Sequence, residues 1–82
     1  MLTQETLYTL YFQKIYNLVY RMTGNAEDAG DITQETFIQA FNSLKDIRGE
    51  SQPYTWLFRI AKNNCLRHLD KKKKSTFLSI QE

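Results

Sequence analysis

The stretch Asp31–Phe41, DITQETFIQAF, decides how the chain folds. Thr33, Phe37, Ala40 and, just beyond, Leu44 recur at three- and four-residue spacing, the period of one helix face. The opposite side carries Asp31, Gln34, Glu35 and Asn42, with Ile38 set among them. An aliphatic side chain between carboxylates and amides suits a partner helix that bears arginines. Guanidinium groups fork onto the carboxylates while their stems cover the isoleucine. A solvated face with one stray isoleucine would give the same pattern, because single exposed apolar residues are common.

Working outward, the preceding segment from about Thr3 to Thr23 is a second amphipathic helix. Leu7, Tyr11, Ile15, Leu18 and Met22 recur at helical spacing, with Tyr8, Phe12 and Val19 alongside. Thr3 is the expected N-cap and Gly24 the stop. Asn25 then caps the helix that contains the opening stretch, and Glu27 and Asp28 fall in its first turn, where the dipole favours them. Gly30 is an odd choice early in a helix, costing about 1 kcal/mol relative to alanine.

On the other side, Lys45–Gln52, KDIRGESQ, is expected to be a loop, with Gly49 permitting a sharp bend. Pro53 fits the first position of a further helix. That helix carries Tyr54, Leu57, Phe58, Ala61, Cys65, His68 and Leu69 on one side and is expected to end near Lys71. No segment alternates convincingly as a strand. The expectation is an all-α fold, a small three-helix bundle with room for a short fourth helix.

The last helix has a second informative side: Trp56, Arg59, Asn63 and Arg67 share one sector, flanked by Lys62. A ring to stack a base, cations for phosphates and an amide for a base edge are what single-stranded nucleic acid requires. Packing of Trp56 against a neighbouring helix is the plainer alternative. His68 falls on the apolar side as a half-buried spacer, with no second group in the sequence pattern to pair with. Neither a nucleophile–base arrangement nor a glycine-rich phosphate loop is present, so catalysis is not expected.

Composition is that of one small globular domain: 82 residues, 41% hydrophobic and 24% charged. A lone cysteine, Cys65, and a lone histidine cannot build a disulfide or a zinc site, so no metal or other cofactor is expected. Without a secretory leader or a membrane-length apolar run, the expected location is the cytoplasm. Charge is uneven. Residues 1–44 carry two cations against five anions, residues 45–82 nine against four, with the run Lys71–Lys74 in the second half. That asymmetry suits an acidic polymer for the second half and a basic partner for the first.

Two segments in this order, DAGDITQETFIQAF and PYTWLFRIAKNNCLRHL, resemble region 2 of bacterial sigma factors of the extracytoplasmic-function type. The usual pattern there is an acidic D-A-E-D, then Q-E-T-F, a loop, and a Y-T-W-L-Y-R-I-A-x-N helix. The resemblance runs from about Tyr8 to Lys72. It implies that Asp31, Gln34 and Glu35, with Ile38 and Asn42 beside them, meet the clamp coiled coil of the RNA polymerase β′ subunit. It also implies that Arg48, Gly49, Glu50, Ser51 and Asn63 line a pocket for a base extruded from the nontemplate strand of the promoter −10 element. Trp56 would share that surface, and Arg59, Lys62 and Arg67 would hold phosphates. Unstacking a base costs a few kcal/mol, which such contacts must offset.

Gly30 departs from the pattern, standing where an acidic residue is usual. Members of the family also carry a C-terminal domain for the −35 element. Residues 1–72 are therefore expected to be the region 2 domain and residues 73–82 the start of a linker. An anti-sigma protein covering the same surfaces is a further expected partner. Two other functions remain open: a helical interaction module without DNA preference, and a duplex-reading helix-turn-helix. The eight-residue loop Lys45–Gln52 is long for the latter's turn of about three or four residues.

Overall fold

Helix boundaries fall where single side chains satisfy backbone groups that a helix end leaves orphaned. In a computed structural model, which describes the backbone of residues 3–48 and 52–81 and side chains of residues 3–47 and 52–72, four helices follow one another. They are α1 (Gln4–Thr23), α2 (Ala26–Asn42), α3 (Leu44–Arg48) and α4 (Pro53–Gln81). Thr3 Oγ1 accepts from the Thr6 amide at 3.1 Å, and Asn25 Oδ1 accepts from the Asp28 amide at 3.0 Å. Gly24, at φ +68°, closes α1 by donating its amide to the Tyr20 carbonyl at 2.7 Å. Only Gly24 and Asn25 separate α1 from α2, so these helices turn back on each other as antiparallel neighbours.

The core is shared by all four helices. Leu7, Ile15 and Val19 enter it from α1, Ala29, Ile32, Phe37 and Ala40 from α2, and Leu57, Ala61 and Cys65 from α4. Phe37 is the largest buried side chain, and the Tyr8 ring meets it edge-on at 5.2 Å. Tyr54 of α4 lies 5.7 Å from Tyr11 of α1, with the Lys14 ammonium 5.7 Å from the Tyr54 ring. The apolar stripe of α2 is wider than expected, since Ala29, Ile32 and Thr36 are buried as well.

Two expectations about the second half are corrected. The segment after α2 is not loop throughout: Leu44–Arg48 forms α3, a single turn in which the Asp46 and Ile47 amides donate to the Ser43 carbonyl at 3.0 and 3.1 Å. The turn delivers Ile47 into the core with no exposed surface. Burying an isoleucine is worth about 1.5–3 kcal/mol, enough to hold a short helix that could not persist alone. The last helix does not stop near Lys71 but runs on to Gln81, 29 residues in all. At about 1.5 Å per residue it far outruns the 20-residue α1. Phe58 and Leu69, expected on its apolar side, are 38% and 37% exposed, because they sit at the margin of the stripe that Leu57, Ala61 and Cys65 centre.

Candidate functional site

The outward side of α2 is as its spacing implies. Asp31, Gln34, Glu35 and Asn42 are exposed, and Ile38 is 55% exposed among them. Ile38 does not stand alone. With Gln34 it forms one wall of a groove between α1 and α2 whose floor is aromatic, made by Tyr8, Phe12, Phe37 and Phe41. The groove holds about 530 Å³, and Gly30 lies at its edge with nothing within 4 Å of where a Cβ would stand. The missing side chain therefore opens this surface and serves no internal packing.

The second candidate surface lies on α4. Arg59, Lys62, Asn63 and Arg67 are exposed on the helix. Trp56 is half-buried: it packs on the core, and the Arg59 guanidinium carbon lies 5.8 Å from its ring centre. The packing alternative for Trp56 therefore holds, and the outer part of its ring carries the Arg59 cation. Arg48 ends α3, but its side chain lies outside the described residues, as do Gly49, Glu50 and Ser51 altogether. Of the expected base pocket, only Asn63 is described in full.

Between the two surfaces runs a polar seam that the sequence reasoning missed. Asn64, 4% exposed, donates through Nδ2 to Thr36 Oγ1 at 3.2 Å and to Gln39 Oε1 at 3.3 Å. Its Oδ1 accepts from the Arg67 guanidinium at 3.2 Å. Gln39 in turn donates to Glu35 Oε1 at 3.2 Å, and the Thr36 hydroxyl donates to the Ile32 carbonyl at 2.8 Å. A signal existed, for Asn64 stands seven residues after Leu57, on the same lattice as Ala61 and Cys65.

His68 has a partner after all, since its Nε2 lies 3.2 Å from Asp28 Oδ2 at the start of α2. The two form an ion pair when the imidazole is protonated, but the angle is poor for a hydrogen bond. Cys65 is buried, and its loss of water pushes the thiol pKa up. Such a thiol is a packing group, not a nucleophile. Among the described residues no three of His, Cys, Asp and Glu gather into a metal-binding group, and no helix is long and apolar enough to cross a membrane.

The sequence has known relatives. The family described as Sigma-70 region 2 matches residues 7–75. The RNA polymerase sigma-H factor of Pseudomonas aeruginosa is 43% identical over 65 residues, 79% of this chain and 34% of its own length. The ECF RNA polymerase sigma factor SigW of Bacillus subtilis is 40% identical over 72 residues, 88% of this chain and 38% of its own. The RNA polymerase sigma factor YlaC of the same species is 37% identical over 78 residues, 95% of this chain and 45% of its own. The chain thus spans less than half the length of these curated relatives. No solved structure matches it significantly. On the family match and these identities, the chain belongs to the sigma-70 region 2 family and is a region 2 domain of the extracytoplasmic-function type.

Proposed function

We propose that this domain serves transcription initiation by docking on the RNA polymerase β′ clamp coiled coil and holding the single-stranded −10 element of a promoter. The observation that carries the proposal is the opposition of two exposed faces on adjacent helices. One sets Asp31, Glu35 and Gln34 around a bare isoleucine; the other sets Arg59, Lys62 and Asn63 beside a half-buried tryptophan. Exposed carboxylates on the same helix face as Ile38 fit a basic amphipathic helix, whose arginines pair with them while its apolar side covers Ile38. Cations flanking a ring fit a strand whose phosphates and bases are both accessible. The names of the relatives, all RNA polymerase sigma factors, support the same assignment.

In this function Asn63 reads a base edge with Arg48, Gly49, Glu50 and Ser51, while Arg59, Lys62 and Arg67 hold the backbone. The aromatic groove between α1 and α2 also favours a second protein partner, an anti-sigma protein that would shield the docking face. The test has two arms. Asp31→Arg and Glu35→Lys should weaken binding to purified core polymerase at unchanged helicity, and Asn63→Ala should blur base preference in a selection among single-stranded oligonucleotides. Unchanged polymerase affinity would remove the docking face. A domain that selects no sequence would leave only a helical interaction module.

A further inference from the structure

The seam between α2 and α4 has a direction that its chemistry fixes. A guanidinium can only donate and a carboxylate can only accept. Arg67 therefore must meet Asn64 through the amide oxygen, which turns Asn64 Nδ2 toward Gln39 Oε1, at 3.2 and 3.3 Å. Gln39 must then present its own amide nitrogen to Glu35, at 3.2 Å. The result is one polarised chain from cation to anion, Arg67 to Asn64 to Gln39 to Glu35. Its middle is buried at Asn64, while both charged ends are exposed and border the same small cleft of about 110 Å³. Thr36 supports the arrangement: its hydroxyl donates to the Ile32 carbonyl and so offers Asn64 only a lone pair.

We propose that Asn64 is a positioning residue that ties the Arg67 guanidinium to the Glu35 carboxylate, so that the two faces of the domain share one hydrogen-bond relay. The proposal rests on the assignment above, in which Glu35 meets a basic partner and Arg67 a phosphate. Hydrogen bonds to charged groups are about twice as strong as neutral ones, and bonds in series polarise one another. The negative charge of Glu35 thus tightens the hold of Asn64 on Arg67. A cation that engages Glu35 draws that charge away, slackens the chain and frees Arg67 for a phosphate. By linkage, a phosphate that takes Arg67 makes Glu35 more available to the cation in the same proportion. A leucine at position 64 would fill the space without such a tie, and burying an asparagine there has no packing advantage over it.

The test compares two charge-neutralising substitutions on one helix face, Glu35→Gln and Asp31→Asn, in the whole 82-residue domain. Both remove a negative charge that opposes a nucleic acid, but only Glu35 ends the relay. Binding of a fluorescein-labelled single-stranded oligonucleotide is followed by anisotropy at low salt. Glu35→Gln is expected to tighten binding about threefold more than Asp31→Asn, a coupling just below the usual allosteric range. The excess is expected to vanish in a Gln39→Met background, which breaks the chain at a half-buried position, and in Asn64→Leu where that variant folds. Equal effects of the two neutralisations, or an excess that survives Gln39→Met, would overturn the relay. Should the wild-type domain bind no oligonucleotide at all, the assignment of α4 to DNA fails. The relay is then judged by the ¹⁵N–¹H signals of the Asn64 side-chain amide. Movement with Glu35→Gln but not with Asp31→Asn upholds it, and no difference between the two overturns it.

Discussion

Gly30→Ala should make the domain more stable, by about 1 kcal/mol. Gly30 is the fifth residue of α2, well inside the helix, and its φ is not positive. A Cβ there meets nothing within 4 Å, so the methyl group brings neither a clash nor new packing. What remains is the helix propensity difference of about 0.8–1.0 kcal/mol, most of it freedom that glycine keeps in the unfolded chain. For a domain of this size that predicts a rise in Tm of about 4–8 °C. It also predicts a rise of about half a molar in the urea midpoint, with the slope unchanged. Gly24→Ala is the internal control, because Gly24 holds φ +68° and a Cβ is strained there whatever the space around it. It should lower stability by about 1 kcal/mol or more. Far-ultraviolet circular dichroism in urea reads both. A midpoint for Gly30→Ala at or below the wild type would refute the argument. Binding adds a second readout. Gly30 borders the aromatic groove next to Gln34 and Ile38, at a position where a larger, acidic side chain is usual, so a methyl group there should leave core polymerase binding intact while the fold gains stability.

Other perturbations follow from single residues. Ile47→Ala should cost about 2–5 kcal/mol, the usual range for emptying a buried isoleucine site, and a loss under about 1 kcal/mol in urea unfolding would mean that α3 does not pin the core. Thr33→Val should stabilise by about 1 kcal/mol, because the Thr33 hydroxyl is buried without a hydrogen-bond partner and valine keeps its shape; a loss would reveal a partner for the hydroxyl. Burial raises the Cys65 pKa, so its contribution is complete below the unfolded thiol value of about 8.5 and is lost as pH rises past it, the unfolded chain ionising first. The urea midpoint should therefore fall between neutral and alkaline pH more in the wild type than in Cys65→Ala, and iodoacetamide should label Cys65 only after unfolding. Oligonucleotide affinity should fall with salt, with the slope of log K against log salt shrinking by about 0.7 for each phosphate contact removed in Arg59→Ala or Lys62→Ala; a salt-independent affinity would rule these cations out as phosphate ligands.

Much of this architecture is legible in the sequence because it is local. Thr3, Gly24, Asn25 and Pro53 act on backbone groups within a few residues of themselves, and each marks a boundary where its chemistry says it should. Ile38 likewise follows from helical period alone. Features that depend on another helix are hidden. A five-residue helix has too few positions to show a period, so Ile47 reads as part of a loop until the core receives it. Helical period sets Asn64 on the side of Leu57 and Ala61, but its partners Thr36 and Gln39 belong to α2 and only the packing reveals them. The partner of His68 lies 40 positions earlier, at Asp28, and only the packing of α2 on α4 brings them together. Arg67 is exposed with Arg59 as expected, and its guanidinium also reaches Asn64, three residues earlier on the same helix.

The chain contains a single tryptophan, and Arg59 already covers its ring. In the proposed function, stacking of a base on that indole would be an exchange of occupants, not an addition to an empty shelf. An exposed cation over a ring is worth about 0.5–1 kcal/mol and a stacked base about 1–3 kcal/mol, so a base that stacked there would displace the guanidinium and leave it free to turn toward the strand. The domain would thereby carry an optical reporter: quenching of its tryptophan emission by a single-stranded oligonucleotide is the expected sign of that exchange, and unchanged emission would speak against it.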